Sequence, residues 1–188
     1  MSTQKTSSPT APAVTMAQAK EALRIDADDT SLDVSIAIWI AGITAEAEHE
    51  TGCAFVNRGM RKTLDRFPDA IELSSPTFSV EAVRFLAPDG TVQTLDPADY
   101  YVDKLTKPGY IVPGRGKAWP VTEAHINAVT VDYTAGYGPT AAEVPDAVRL
   151  YVLARLQELF DPAAREFRET HASAYLLTLL DGLKDYSQ

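Results

Sequence analysis

Glu46, Glu48, His49 and Glu50 are side-chain types that can do chemistry, and they stand almost together in the chain. Glu46 and Glu50 are spaced to share a helix face, and carboxylates beside an imidazole can hold a divalent cation or pass a proton. A zinc centre, however, draws three or four ligands and favours more His and Cys than this. The remaining histidines, His125 and His171, lie in unrelated segments with no companion spacing. The group therefore reads as solvated charge on a helix face. Gly114-Arg115-Gly116-Lys117 offers a second chemistry, a backbone cradle for phosphate. It lacks the spacing to a Lys-Ser/Thr pair and the strand-to-helix setting that make a P-loop work. Arg115 and Lys117 could instead meet a nucleic acid or an acidic neighbouring chain, and the acidity of the whole sequence favours the neighbour. Serine and histidine are too scattered to pair a nucleophile with its base. Cys53, following Gly52 at a helix end, reads as a small buried residue. The expectation is a non-enzymatic chain with no catalytic residue, cofactor or metal.

The elements that would position any working surface must come from a chain of 188 residues, 45% of them hydrophobic. That suits one compact domain with a short appendage. The formal net charge of -9 repels free nucleic acid rather than gripping its phosphates. A single cysteine excludes an intrachain disulfide framework. No apolar run approaches the roughly 18 to 20 residues that span a bilayer, and the start is small and polar instead of a charged and then apolar leader. The reading is of a chain neither secreted nor membrane-embedded.

Along the chain, residues 1–14 are small, polar and proline-punctuated, which predicts a flexible arm. Thr15 with Gln18 has the form of a capping box opening a helix over 15–25. Leu32, Ile36, Ile40, Ile43 and Ala47 recur at spacings of three and four up to Gly52, predicting a helix over 30–52 whose other side, with Asp33, Glu46 and Glu50, is wet. From 58 to 134 the pattern changes to alternation, as in Thr63–Phe67, Val83–Phe85 and Ala128–Tyr133. Pro88-Asp89-Gly90 predicts a hairpin between Val80–Leu86 and Thr91–Leu95, and Tyr100–Asp103 with Tyr110–Val112 suggests another pair. Pro145 opens a third, centrally placed helix over 145–160. After a charged connector, Arg165–Glu169, comes a leucine-rich amphipathic ending. The expected fold is α+β: a helical bundle core of two N-terminal helices and a long C-terminal helix, with a small antiparallel β-sheet inserted between them. The expected domains are a flexible arm over 1–14, a main domain over 15–162 and a C-terminal segment over 163–188.

These residues resemble the head-tail connector family of tailed phages, also called adaptor or head-completion proteins. The resemblance runs from Val14 to Leu183 and is carried by order and spacing rather than by one motif. It comprises Ala19–Asp26 with the acidic turn after it, the helix closing in Glu50-Thr51-Gly52, Leu64–Pro68, Asp99–Asp103, Trp119-Pro120, Val131–Gly138 and Val144-Pro145. The resemblance implies a ring of subunits, usually twelve, under the portal protein of a virion or a gene transfer agent. Such a ring extends the DNA channel and presents a surface to the next connector or tail-completion protein, without catalysis, cofactor or membrane. It places the protein in the particle neck, and in the host cytoplasm during assembly. An acidic lumen would let DNA slide without specific binding, because like charges repel within a Debye length of about 8–10 Å. Another neck or tail-completion protein, a monomeric protein-binding adaptor and a small enzyme are the alternatives.

For such a subunit the glycine- and proline-rich loop over 106–118 and its surroundings are the candidate contact between copies, through Lys107, Tyr110, Arg115, Lys117 and Trp119. Tyr175, Leu176, Leu179, Leu180 and Leu183 are the candidates for docking the portal; the other reading is that they pack on their own domain. Trp39, off the main apolar line of its helix, is either an interface anchor or a widening of the core stripe.

Overall fold

The computed structural model describes residues 2–161 and 173–184. The fold is α+β, and the chain divides into two compact units. One is formed by Met1–Pro9 with Asn57–Tyr137, the other by Thr10–Val56 with the described part of Gly138–Tyr186.

The first unit is built on β8 (Val129–Ala135), in which Val129, Val131, Tyr133 and Ala135 are buried while Thr130, Asp132 and Thr134 are less so. The alternation follows from the two-residue period of a strand, and its β-branched residues suit a half-buried pleat. Antiparallel neighbours flank it: β2 (Arg58–Leu64) with Met60 opposite Tyr133, and β4 (Thr77–Leu86) with Val83 opposite Val131. Beyond β4 lies β5 (Val92–Thr94), closing the hairpin that Pro88-Asp89-Gly90 predicts. At the other edge β1 (Ser2–Lys5) pairs with β2, giving the order β1-β2-β8-β4-β5. The first residues, expected as part of a flexible arm, are therefore an edge strand whose side chains are all exposed and which joins the sheet through the backbone ladder. A second sheet, β3 (Ile71–Glu72), β7 (Tyr110–Pro113) and β6 (Tyr100–Asp103), includes the expected pair β6–β7. The single small sheet of the sequence reading is thus two. Ile71, Leu73 and Ile111 are buried, as are the inward residues of β8, and each fully buried side chain of this size contributes on the order of 1.5–3 kcal/mol. The Tyr133 hydroxyl is satisfied by Ser74, Oγ to Oη 2.8 Å.

The second unit holds α1 (Met16–Leu23), α2 (Asp33–Thr51), α3 (Asp146–Phe160) and α4 (Ser173–Asp181). The capping box forms as the sequence predicts: Gln18 N–H donates to Thr15 Oγ1 at 3.2 Å, and Thr15 N–H to Gln18 Oε1 at 2.9 Å. Pro145 sits one residue before α3, as its cap. Helix α3 touches α1, α2 and α4, burying Val148, Tyr151, Val152 and Leu156. Leu150, Leu159 and Phe160 stay exposed, so α3 is not apolar-covered all round. Between α1 and α2 the buried Lys20 ammonium forms an ion pair with Asp33 at 2.8 Å and donates to Ala27 O at 3.1 Å. Gln157 Nε2 donates to Ala22 O at 2.8 Å, tying α3 to α1.

Gly136 ends β8 with φ of 142°, its N–H donating to Pro76 O at 2.9 Å, and a Cβ there would lie 2.5 Å from Asn57 N. No L side chain fits either the conformation or the space. Gly136→Ala is expected to cost at least about 2 kcal/mol, read in thermal unfolding as a fall in melting temperature of roughly 4–8 °C.

Candidate functional site

The carboxylates of α2 do not converge. Glu46 accepts from Arg155 Nη2 and from the Tyr151 hydroxyl, each at 3.3 Å, whereas Glu48 is buried and accepts from Phe55 N–H at 3.1 Å. His49 and Glu50 face solvent. Two members of the quartet hold the helix to its own unit, which is a structural use of residues whose types suggest chemistry. Among the described residues no three His, Cys, Asp or Glu side chains gather to hold a metal ion. Cys53 is buried and its thiol donates to Leu183 O at 3.2 Å.

The loop candidates divide by what they touch. Lys117 forms an ion pair with Asp99 and donates to Ala98 O at 3.1 Å, so its charge is already neutralised within its own unit. Gly116, at φ of 74°, makes the turn that brings it there. Trp119 lies flat against Phe67, ring centres 4.7 Å apart, which commits its ring to the packing of its own unit. Tyr110 is half-buried in β7, opposite Glu72 and Asp103. Arg115 is exposed. Lys107 is exposed and steadied by Tyr137, its ammonium 5.0 Å from the ring centre and 3.3 Å from the hydroxyl.

The leucine-rich ending follows mainly the packing alternative. Leu176 and Leu180 are buried, and α4 packs on α3 and α2. Leu179 and Leu183 are half-buried. The Tyr175 side chain and the connector Arg165–Glu169 lie outside the described residues. Trp39 is half-buried on α2, between the two readings given it.

Two features were not visible in the sequence. On the outer face of the larger sheet Asp132 receives Arg61 from β2, Nε at 2.6 Å and Nη2 at 3.2 Å, and Arg84 from β4. The Arg61 hydrogen bonds hold the Asp132 carboxyl below the ordinary carboxylate range, against the opposing effect of partial burial, and Arg84 adds to the lowering. Alternation alone puts Asp132 on the wet face, but which cations stand beside it depends on the register of β8 with two strands, β2 and β4, far from it in sequence. The second feature is apolar. The outer side of α2, expected to be wet and acidic, exposes Val34 and Ile38, 76% and 65% accessible, and the β6–β7 hairpin tip exposes Leu105, 93% accessible.

No known protein-family profile matches the chain, and no curated protein matches it. Solved structures do. A chain in the neck of an empty gene transfer agent (GTA) particle, computed with C6 symmetry, superposes with a TM-score of 0.78 at 20% identity, covering 98% of this chain and 95% of that one. A chain in the virion of a native GTA particle gives 0.76 at 20% identity, and one in the neck of a native GTA particle computed with C12 symmetry gives 0.73 at 19%, with the same coverage. At such identity the likeness is one of fold: over 98% of its length this chain matches the fold of a chain found in GTA particles. Among its described residues no helix is long and apolar enough to cross a membrane.

Because the Asp132 carboxyl is held low in the folded state, its contribution is fully present above the unfolded-state carboxylate value and is lost as pH falls through the folded one. Asp132→Asn is expected to destabilise by about 1 kcal/mol at neutral pH, the arginines being part exposed and screened. In thermal melts against pH, the gap between wild type and variant should close on acidification below the ordinary carboxylate range. A gap independent of pH would assign the loss to packing.

Proposed function

We propose that this chain is a non-enzymatic head-tail connector (adaptor) subunit of a tailed phage or gene transfer agent. It acts in the particle neck as one member of a ring, of twelve copies by this reading, seated under the portal protein. The ring lengthens the DNA channel and offers its far side to the next connector or tail-completion protein. Before assembly the subunit resides in the host cytoplasm. The observation that carries the reading is the agreement of fold over 98% of the chain with chains of GTA necks. Their C6 and C12 computation supports a ring here too.

The chemistry fits that role. A net charge of -9 repeated around a pore gives a lumen over which a polyanion passes without being held. The four helices serve as the subunit's bundle, and the exposed residues Lys107 and Arg115 of the β unit as contacts to the adjacent copy. At the C-terminal end, Leu179, Leu183 and Tyr175 are the portal-docking candidates that remain once Leu176 and Leu180 are assigned to their own unit's core.

Solution mass, measured for the purified chain alone and then mixed with portal from the same particle, tests the proposal. The expected outcome is a ring-sized species, formed alone or only on the portal. A chain that stays monomeric and ignores portal overturns it.

A further inference from the structure

Leu105 is the most exposed large hydrophobic side chain among the described residues. It stands at the tip of the β6–β7 hairpin, and the tip is held in shape by Asp103: Oδ1 accepts from Leu105 N–H at 2.8 Å and from Thr106 N–H at 3.3 Å, and Oδ2 from the Thr106 hydroxyl at 2.8 Å. Lys104 and Lys107, both exposed, flank the leucine. A leucine held in water on an ordered turn between two cations is a preformed anchor, because the entropy of ordering it has already been met within the free chain.

The described residues also offer an apolar surface bracketed by the opposite charge. On α2, Val34, Ala37, Ile38, Ala41, Gly42 and Ala45 are exposed, a stretch of about 16 Å along the helix. Asp26, Asp28 and Asp29 stand exposed before one end of it and Glu50 at the other. A second apolar surface, the groove of about 370 Å³ beside β5 with Val92 and Ile126, has no carboxylate in its lining and so offers no counter-charge to a tip carrying two lysines.

We infer that the hairpin tip is a plug, anchored by Leu105, which seats on the exposed apolar stretch of α2 in a second copy of this chain, its lysines facing the acids at the ends of that stretch. The partner is a second copy because an acidic, otherwise self-repelling chain carries both halves of a match in apolar area and in charge. The two halves are different patches, so the contact is head-to-tail: each copy gives a tip and receives one, and the chain of contacts closes when the rotation allows. This inference rests on the ring proposed above and names its contact.

The test uses the full chain, assembled with portal if the ring needs it. Leu105→Cys combined with Ile38→Cys, under mild oxidation, should give a ladder of disulfide-linked multimers, with neither single variant doing so; buried Cys53 is left in place. Lys104→Glu with Lys107→Glu should weaken ring formation at least about tenfold, and adding Asp28→Lys and Asp29→Lys should recover it, while circular dichroism of every variant matches wild type. A ring-sized species without a ladder, or a tip charge reversal without effect, overturns the contact and leaves the ring reading standing. Failure of the wild-type chain to form a ring at all overturns both.

Discussion

The larger sheet takes its order from the pairing of β8 with the strands on either side. Met60 opposite Tyr133 and Val83 opposite Val131 fix which residues of β2 and β4 face inward, and a slip by one residue would turn every one of them to water. Edge strands β1 and β5 are placed in turn by β2 and β4. The same register sets the outer face, where Asp132 stands between Arg61 and Arg84 only because the inner alternation leaves it there. Gly136 then lets the chain leave β8 against Asn57, where any side chain would collide.

The helical unit rests on a different division of labour. Helix α2 is apolar on more than one side; the side with Ile36, Ile40, Ile43 and Ala47 is buried, and the side with Val34 and Ile38 is not. Burial of one stripe explains the fold, and it leaves the other stripe without a role inside the unit. Glu46 and Glu48, each engaged with a neighbour, show the reverse case, in which residues of chemical promise are used for packing and capping.

Much of this was legible in the sequence because it is local. Thr15 with Gln18 announces a helix start, the spacing of Ile36, Ile40 and Ile43 a buried stripe, and Pro88-Asp89-Gly90 a hairpin, since each signal is contained within a few residues. Residues 2–5 gave no such signal: with no buried side chain there is no apolar alternation to read, and the backbone ladder that pairs the strand is open to every sequence. The Arg61–Asp132–Arg84 cluster needs a register that composition does not encode. The terminal leucines show a third limit, because an amphipathic helix declares that it needs a partner without saying whether the partner is its own unit; for Leu176 and Leu180 it is.

The interleaving of the units along the chain bears on how the protein is made. The strands of the β unit are complete once Ala135 has emerged from the ribosome, whereas α1 and α2, synthesised before most of them, wait for α3, which ends at Phe160. During that interval both apolar sides of α2 face solvent, at the stage of synthesis when uncovered hydrophobic surface invites aggregation. The stripe of α2 that α3 covers is therefore without that cover from its own synthesis until Phe160 has been added.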